Sequence, residues 1–361
     1  MAGSAAAASH PFLIVSNLDS YIQSQELIVA VPTNDPAVDE TTIYVGRGAS
    51  LVLRPGGAFG DAQADLMSSQ AYGSTIFQLV GDVVSADPAK YQNNDCAPGP
   101  HAAVWIAELT PLFLNATIDI PIYVDAAKPA EEPYASYVLK TCMPSPYVPY
   151  PDGAIFGGRL LDLELYLANF RQAGDSRWTT IVTPFRADGG VDSPGAAEGQ
   201  AAVSQGSIST LVVRRTVRRR GPRARYFAHI HGRVTTVAGA GIRAKVEVYE
   251  LFSKSSGPHV ASLKSRPNGS FSVTVRQKRT ASYGIVATRL GGEVTPAVCS
   301  PVLDLGFGPL SCASLTTSDF QSARVTKKVR IPRGGEGIPA HRAAAILRSR
   351  LLPRRGGTLR P

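Results

Sequence analysis

Apolar residues recur at every second position in short runs along this chain. Ile118, Ile120, Ile122 and Val124 alternate with Asp119, Pro121 and Tyr123, and Leu161, Leu163, Leu165 and Leu167 alternate with Asp162, Glu164 and Tyr166. A period of two places one row of side chains on a single face, which predicts half-buried strands. The leucines of 159–169 would also suit a helix, but strict alternation and flanking glycines favour a strand. Residues 12–15, 26–31, 41–45, 50–53, 75–84, 101–109, 134–142 and 178–185 read as further strands. Residues 62–70 read as a short helix with poor apolar spacing. The proline-rich stretch 143–151 reads as a connector, since proline cannot donate to a central ladder.

Turn chemistry divides the second half in the same way. With 34 Gly and 27 Pro in 361 residues, the composition favours many strands and tight turns. The expected fold class is all-β: two β-sandwich-like domains, a basic linker and a largely disordered basic tail. Residues 1–11 form a flexible N-terminus without the basic and apolar regions of an intact secretory signal, either the remnant of a removed leader or a frayed end. An acidic domain follows at 12–186, a Gly/Ala/Ser-rich to Arg-rich linker at 187–223, a basic domain at 224–332, and a tail at 333–361 with a short basic helix starting near Pro339. No apolar run approaches the ~18 residues of a membrane-spanning helix.

Within the basic domain, Gly232-Arg-Val opens a strand, Ala244-Lys-Val-Glu-Val continues with alternation, and Asn268-Gly269-Ser-Phe271 follows a tight turn. Over residues 232–288 this order resembles the carboxypeptidase regulatory-like domains of the prealbumin-like sandwich. The resemblance implies a seven-stranded sandwich that serves as a spacer or adhesion module and brings no catalytic residues with it. The acidic domain resembles no family. Independently of the resemblance, Asn268-Gly269 between two alternating runs predicts a hairpin, because both residues accept positive φ, with Phe271, Val273 and Val275 facing the core.

Charge changes the picture more than composition does. Residues 1–200 hold 9 Lys+Arg against 22 Asp+Glu, residues 201–326 hold 18 against 5, and residues 327–361 hold 10 against 1. Such a polarised chain should attract polyanions, or another copy's acidic half in head-to-tail self-association. The basic half begins with the run Arg214, Arg215, Arg218, Arg219, Arg220, Arg223, Arg225, the expected polyanion-binding residues. Three readings stand for this run: an anionic envelope polymer or membrane surface, a solvated segment paired with the chain's own acids, and nucleic acid, for which no recognisable module accompanies it. Four cysteines allow three pairings. Pairing within each half, Cys96 with Cys142 and Cys299 with Cys312, is the most local choice and leans towards an oxidising compartment.

No phosphate-binding loop, nucleophile elbow, zinc-protease motif or Cys-x-x-Cys pair is present in the sequence. The expectation is therefore a non-enzymatic chain without cofactor or metal. His229 and His231, two apart on one strand face, would join His259 in a metal site only if the fold brought all three together. Glu131 and Glu132 suggest an acid/base pair by composition alone and read as acidic surface. Tyr123, Tyr134, Tyr137, Tyr147 and Tyr150 would contact a sugar or a protein if they shared one patch. The combined expectation is a secreted or cell-surface structural or adhesive module. An intracellular nucleic-acid-binding protein is the opposing class, and an enzyme of unrecognised family the third.

Overall fold

The computed structural model describes residues 9–19, 24–68, 75–111, 117–172, 174–203, 206–218, 225–236, 239–251, 257–289, 291–293, 312–317, 320–322 and 324–331. Nearly every described element is a strand. In chain order the first half contributes β1 (Phe12–Asp19), β2 (Ser24–Ala30), β3 (Val38–Gly46), β4 (Ala49–Leu51), β5 (Ala58–Ser68), β6 (Ile76–Ala86), β7 (Ala103–Pro111), β8 (Ile118–Ala126), β9 (Ala135–Cys142), β10 (Gly158–Leu167), β11 (Phe170–Gln172), β12 (Ser176–Pro184) and β13 (Ala197–Val203). The second half contributes β14 (Gly206–Arg218), β15 (Arg225–Thr236), β16 (Lys245–Leu251), β17 (His259–Lys264), β18 (Ser270–Gln277), β19 (Ala281–Arg289), β20 (Gly292–Glu293), β21 (Cys312–Thr317), β22 (Phe320–Gln321) and β23 (Val325–Val329).

The first unit is one continuous ladder in the order β1-β2-β10-β5-β6-β7-β8-β9-β3-β12-β13. Every pairing in it is antiparallel. The ladder rolls until β1 returns against β13 and β21, so inward rows from opposite ends of the sheet share one core. Leu13, Leu79, Trp105, Ile122, Leu165 and Trp178 all belong to it. Trp105 is wholly buried and donates its indole N–H to Leu53 O at 2.9 Å, with Phe59 edge-on at 5.3 Å. Burying so large a ring without an orphaned donor is what makes it a net stabiliser.

Two expectations fail in this unit. Of the expected helix 62–70, residues 62–68 are strand and the rest lie outside the described residues: β5 buries Ala62 and Ala64 and exposes Asp61, its ladder neighbours on both sides fixing a period of two. The described stretch 187–203 of the expected linker 187–223 is not a plain linker. Its Ala, Gly and Gln residues form β13, buried almost throughout between β12 and β21. A Cβ on Gly199 would lie 2.6 Å from Pro11 O, so the small residues that read as linker composition are what lets β1 approach.

The second unit is a two-sheet sandwich. One face is the three-stranded sheet β14-β15-β18. The other is β17-β16-β19-β23, with β22 also on β19. Ala228, Ile230, Val246, Phe271, Tyr283 and Ile285 fill the space between them. The units interleave, because β21 pairs in parallel with β13 and β22 bridges β19 to β1. The expected boundary near residue 186 therefore does not separate two contiguous domains.

The turn at Asn268-Gly269 also differs from expectation. Gly269 has the expected positive φ of 80°, and Gly269 N–H donates to Arg266 O at 2.8 Å. Yet β17 pairs with β16 and β18 pairs with β15, so this turn crosses between sheets and is not a hairpin. The inward row is as expected for Phe271 and Val275, which are buried, with Val273 partly buried and Ser272 exposed. No described helix is long and apolar enough to cross a membrane. The tail beyond 331 lies outside the described residues.

Candidate functional site

Two surfaces stand out, one basic and one concave. The basic surface is the outer face of β14-β15-β18. Alternation turns Ala228 and Ile230 of β15 inward, so His229, His231, Arg225 and Arg233 take the opposite face. Register then aligns Arg214 with His229 and Thr274, and Thr216 with Phe227 and Arg276. Four arginines from three strands thus share one face. None of Arg214, Arg225, Arg233 and Arg276 is in an ion pair among the described residues. Arg233 donates from Nε to Asn268 O at 2.8 Å, which holds its guanidinium beside the sheet.

The expected arginine run is split by this geometry. Arg214 lies on the open face, whereas Arg215 donates to Arg330 O at 2.9 Å and sits over the Tyr226 ring at 5.8 Å. Arg218 is opposite Arg225 in register, and Arg219, Arg220 and Arg223 lie outside the described residues. Arg233 and Arg276 escape a reading of the sequence, because both lie outside the 214–225 run and join the cluster only through strand pairing.

The three histidines do not assemble. His229 and His231 are neighbours with ring centroids 5.7 Å apart, and His229 Nδ1 lies 2.9 Å from Thr274 Oγ1. His259 belongs to the opposite sheet, 5.5 Å from the Tyr249 ring. Among the described residues no group of three or more His, Cys, Asp or Glu is placed to hold a metal ion.

The concave surface is a groove of about 510 Å³ on the outer face of the first unit. Its floor is the polar row of β3, whose Ile43 and Val45 point into the core while Glu40, Thr42 and Tyr44 point out. Register sets Thr42 between Ile181 and Lys140, and Tyr44 beside Val138. Three loops wall it: 93–101, 127–134 and 185–196. The Cys96–Cys142 disulfide ties the first of these to the end of β9, as expected for that pair. Cys299 lies outside the described residues, so its pairing with Cys312 does too.

The groove holds side chains of both signs, Glu40, Lys140, Asp125, Lys128 and Glu131. Lys140 Nζ is 2.9 Å from Glu40 Oε1, which also accepts from Thr42 Oγ1 at 2.7 Å. His101 Nδ1 is 2.9 Å from Asp125 Oδ2, and its Nε2 is 3.1 Å from Ala97 O. Burial, reinforced by Glu131 and Glu40, pushes the Tyr44 phenol well above its ordinary range, so it stays a donor. Behind the floor, burial and then the neighbouring Glu40 raise the Asp39 carboxyl to about 6.

The remaining candidates scatter. Tyr123 is buried against His101, centroids 4.7 Å apart. Tyr137 packs against the core, and Tyr134, Tyr147 and Tyr150 are exposed. Glu131 closes the β8–β9 turn by accepting from Lys128 N–H at 2.7 Å, while Glu132 is exposed. On the far side of the roll, register places Asp61, Asp82, Glu108 and Asp119 directly opposite one another on four adjacent strands. The sequence matches no protein-family model and no curated protein.

Proposed function

We propose that this chain is a non-enzymatic structural or adhesive module of a secreted or cell-surface protein, holding anionic polymers on its basic sheet. The observation that carries the reading is the shared outer face of Arg214, Arg225, Arg233 and Arg276, without acidic partners among the described residues. Register sets Arg276, Arg214 and Arg233 two, four and eight residues along β15 from Arg225, so the arginine forks spread over about 26 Å of pleated face, a line that suits repeated phosphate, sulfate or carboxylate groups. The disulfide favours an oxidising compartment. The resemblance of 232–288 to carboxypeptidase regulatory-like domains adds a spacer or adhesion role.

Titration of the full chain with heparin, polyglycerol phosphate and duplex DNA at two salt concentrations tests the reading. Binding of the first two that weakens steeply with salt, and falls at least about tenfold in Arg214→Glu/Arg276→Glu, is expected. Preference for one DNA sequence would favour the intracellular nucleic-acid-binding class instead. Binding to none of the three would end the proposal.

A second reading rests on the row Asp61, Asp82, Glu108 and Asp119. Like charges directly opposite one another cost stability, and the basic face of another copy would offset that cost in head-to-tail self-association. Sedimentation at low and high salt separates the two: self-association gives a concentration-dependent mass that Asp82→Lys reduces, whereas polymer binding does not depend on that row.

A further inference from the structure

We propose that the groove on the outer face of β12-β3-β9-β8 binds a neutral saccharide of about two rings. Its 510 Å³ lies within the range of small-molecule sites, about 300–1,000 Å³. Most such sites are dominated by apolar and aromatic walls. This one is mixed: Val138, Ile181 and Val191 share the lining with the hydroxyls of Thr42, Thr183 and Ser193 and with Tyr44 and Tyr123, and register sets Ile181 beside Thr42 and Val138 beside Tyr44. A sugar ring has the same mixture, C–H patches between hydroxyls.

The charges narrow the class further. Glu40 is paired with Lys140, Asp125 lies against His101, and Lys128 and Glu131 add one side chain of each sign to the lining, so neither sign dominates the groove to select a charged ligand. Paired carboxylates keep lone pairs free, and the protonated Tyr44 phenol supplies a donor. A polyhydroxylated neutral ligand meets both needs without leaving a buried charge uncompensated. The wall that would close over it is fixed by a disulfide rather than left to order on binding, which lowers the entropic cost of capture.

The site is separate from the arginine face, so its test is independent of the polymer reading. Calorimetry of the full chain with cellobiose, maltose, lactose and N,N′-diacetylchitobiose should give, for at least one, a Kd of about 0.1–1 mM, as expected of a small polar ligand in an open groove. Ser193 is exposed on the wall, so Ser193→Trp fills the groove without disturbing the core and should weaken binding at least about tenfold. Tyr44→Phe removes one hydroxyl and should weaken it about threefold to tenfold. Heparin affinity should be unchanged in both. No binding by any of the four up to about 10 mM, binding that survives Ser193→Trp, or entry of an anionic oligosaccharide only, overturns the proposal.

Discussion

Ser314 Oγ donates to Pro11 O at 2.7 Å, joining two residues 303 positions apart. Both are buried. Beside this bond Thr316 Oγ1 donates to Leu13 O, and together they close the roll where β1 meets β21 without a backbone ladder between them. The late strand β21 thus completes a unit built mostly from the first half of the chain.

A chain ending at residue 205 should therefore not be stably folded, since it exposes the buried edge of β13. Ser314→Ala should cost about 1–2 kcal/mol, because Pro11 O loses its hydroxyl partner in a buried place. Urea unfolding of the full chain and of the truncated one measures both. A truncated first half as stable as the whole would show that the closure contributes nothing.

The contrast between these strands and the Ile118–Val124 run shows how far sequence reaches. Alternation of Ile120, Ile122 and Val124 is local, and the strand, its inward face and even the preference for strand over helix at 161–167 follow from it. Partner choice is not local. Asn268-Gly269 has the chemistry of a hairpin turn and the positive φ that goes with it, yet Val234 N–H bonds to Gly269 O at 2.9 Å and fixes the turn onto β15, with its flanking strands in opposite sheets. Ala201 and Gly199 carry too little hydrophobicity to announce a core strand. The charge of 214–225 is visible in sequence, but its union with Arg233 and Arg276 is a product of register, and the groove depends on three loops meeting over one row of β3.

The disulfide should matter to the groove as well as to the fold. Cys96 and Cys142 are 46 residues apart, and closing a loop of that length contributes about 4 kcal/mol in the chain-entropy model. Cys96→Ser/Cys142→Ser should lower stability by about 2–4 kcal/mol and speed amide exchange in 93–101 more than in β5 or β6. Equal acceleration in all three would mean that the bridge acts on the whole unit and not on the wall.

Asp162 gives the first unit a definite pH dependence. Its Oδ1 accepts from Asp65 N–H at 2.9 Å, but burial, with Asp65 and Glu164 nearby, raises its pKa from 3.8 to about 6. A carboxyl whose folded pKa lies above its unfolded value favours folding while protonated. The contribution is full below pH 3.8 and is lost as pH rises through about 6; Asp39, also raised to about 6, acts in the same direction. Asp162→Asn keeps the acceptor and removes the charge. It should stabilise by about 1 kcal/mol at pH 8, discounted for partial exposure, and change nothing at about pH 3.5. An equal gain at both pH values would rule out ionisation as its source.

The most direct test of the second sandwich is at the corner where β17 passes to β18. A Cβ on Gly269 would lie 2.0 Å from Val234 O, and φ there is +80°. Any substitution therefore meets both backbone strain and a backbone carbonyl that already accepts from Ile242 N–H at 3.0 Å. Gly269→Val should cost more than the roughly 1–3 kcal/mol of strain alone, about 3 kcal/mol or above. Phe271, 5% exposed, packs over Gly232, where an added Cβ would be 2.8 Å from its ring; Phe271→Ala should cost about 3–5 kcal/mol by leaving a cavity. Ser272 is exposed on the arginine face, 3.4 Å from His229 Nε2, so Ser272→Ala should change stability by less than about 0.5 kcal/mol. Thermal and urea melts of the three full-length variants give the order directly. If Ser272→Ala were as damaging as Phe271→Ala, the inward face of β18 would be misassigned, and with it the outward face that carries Arg276.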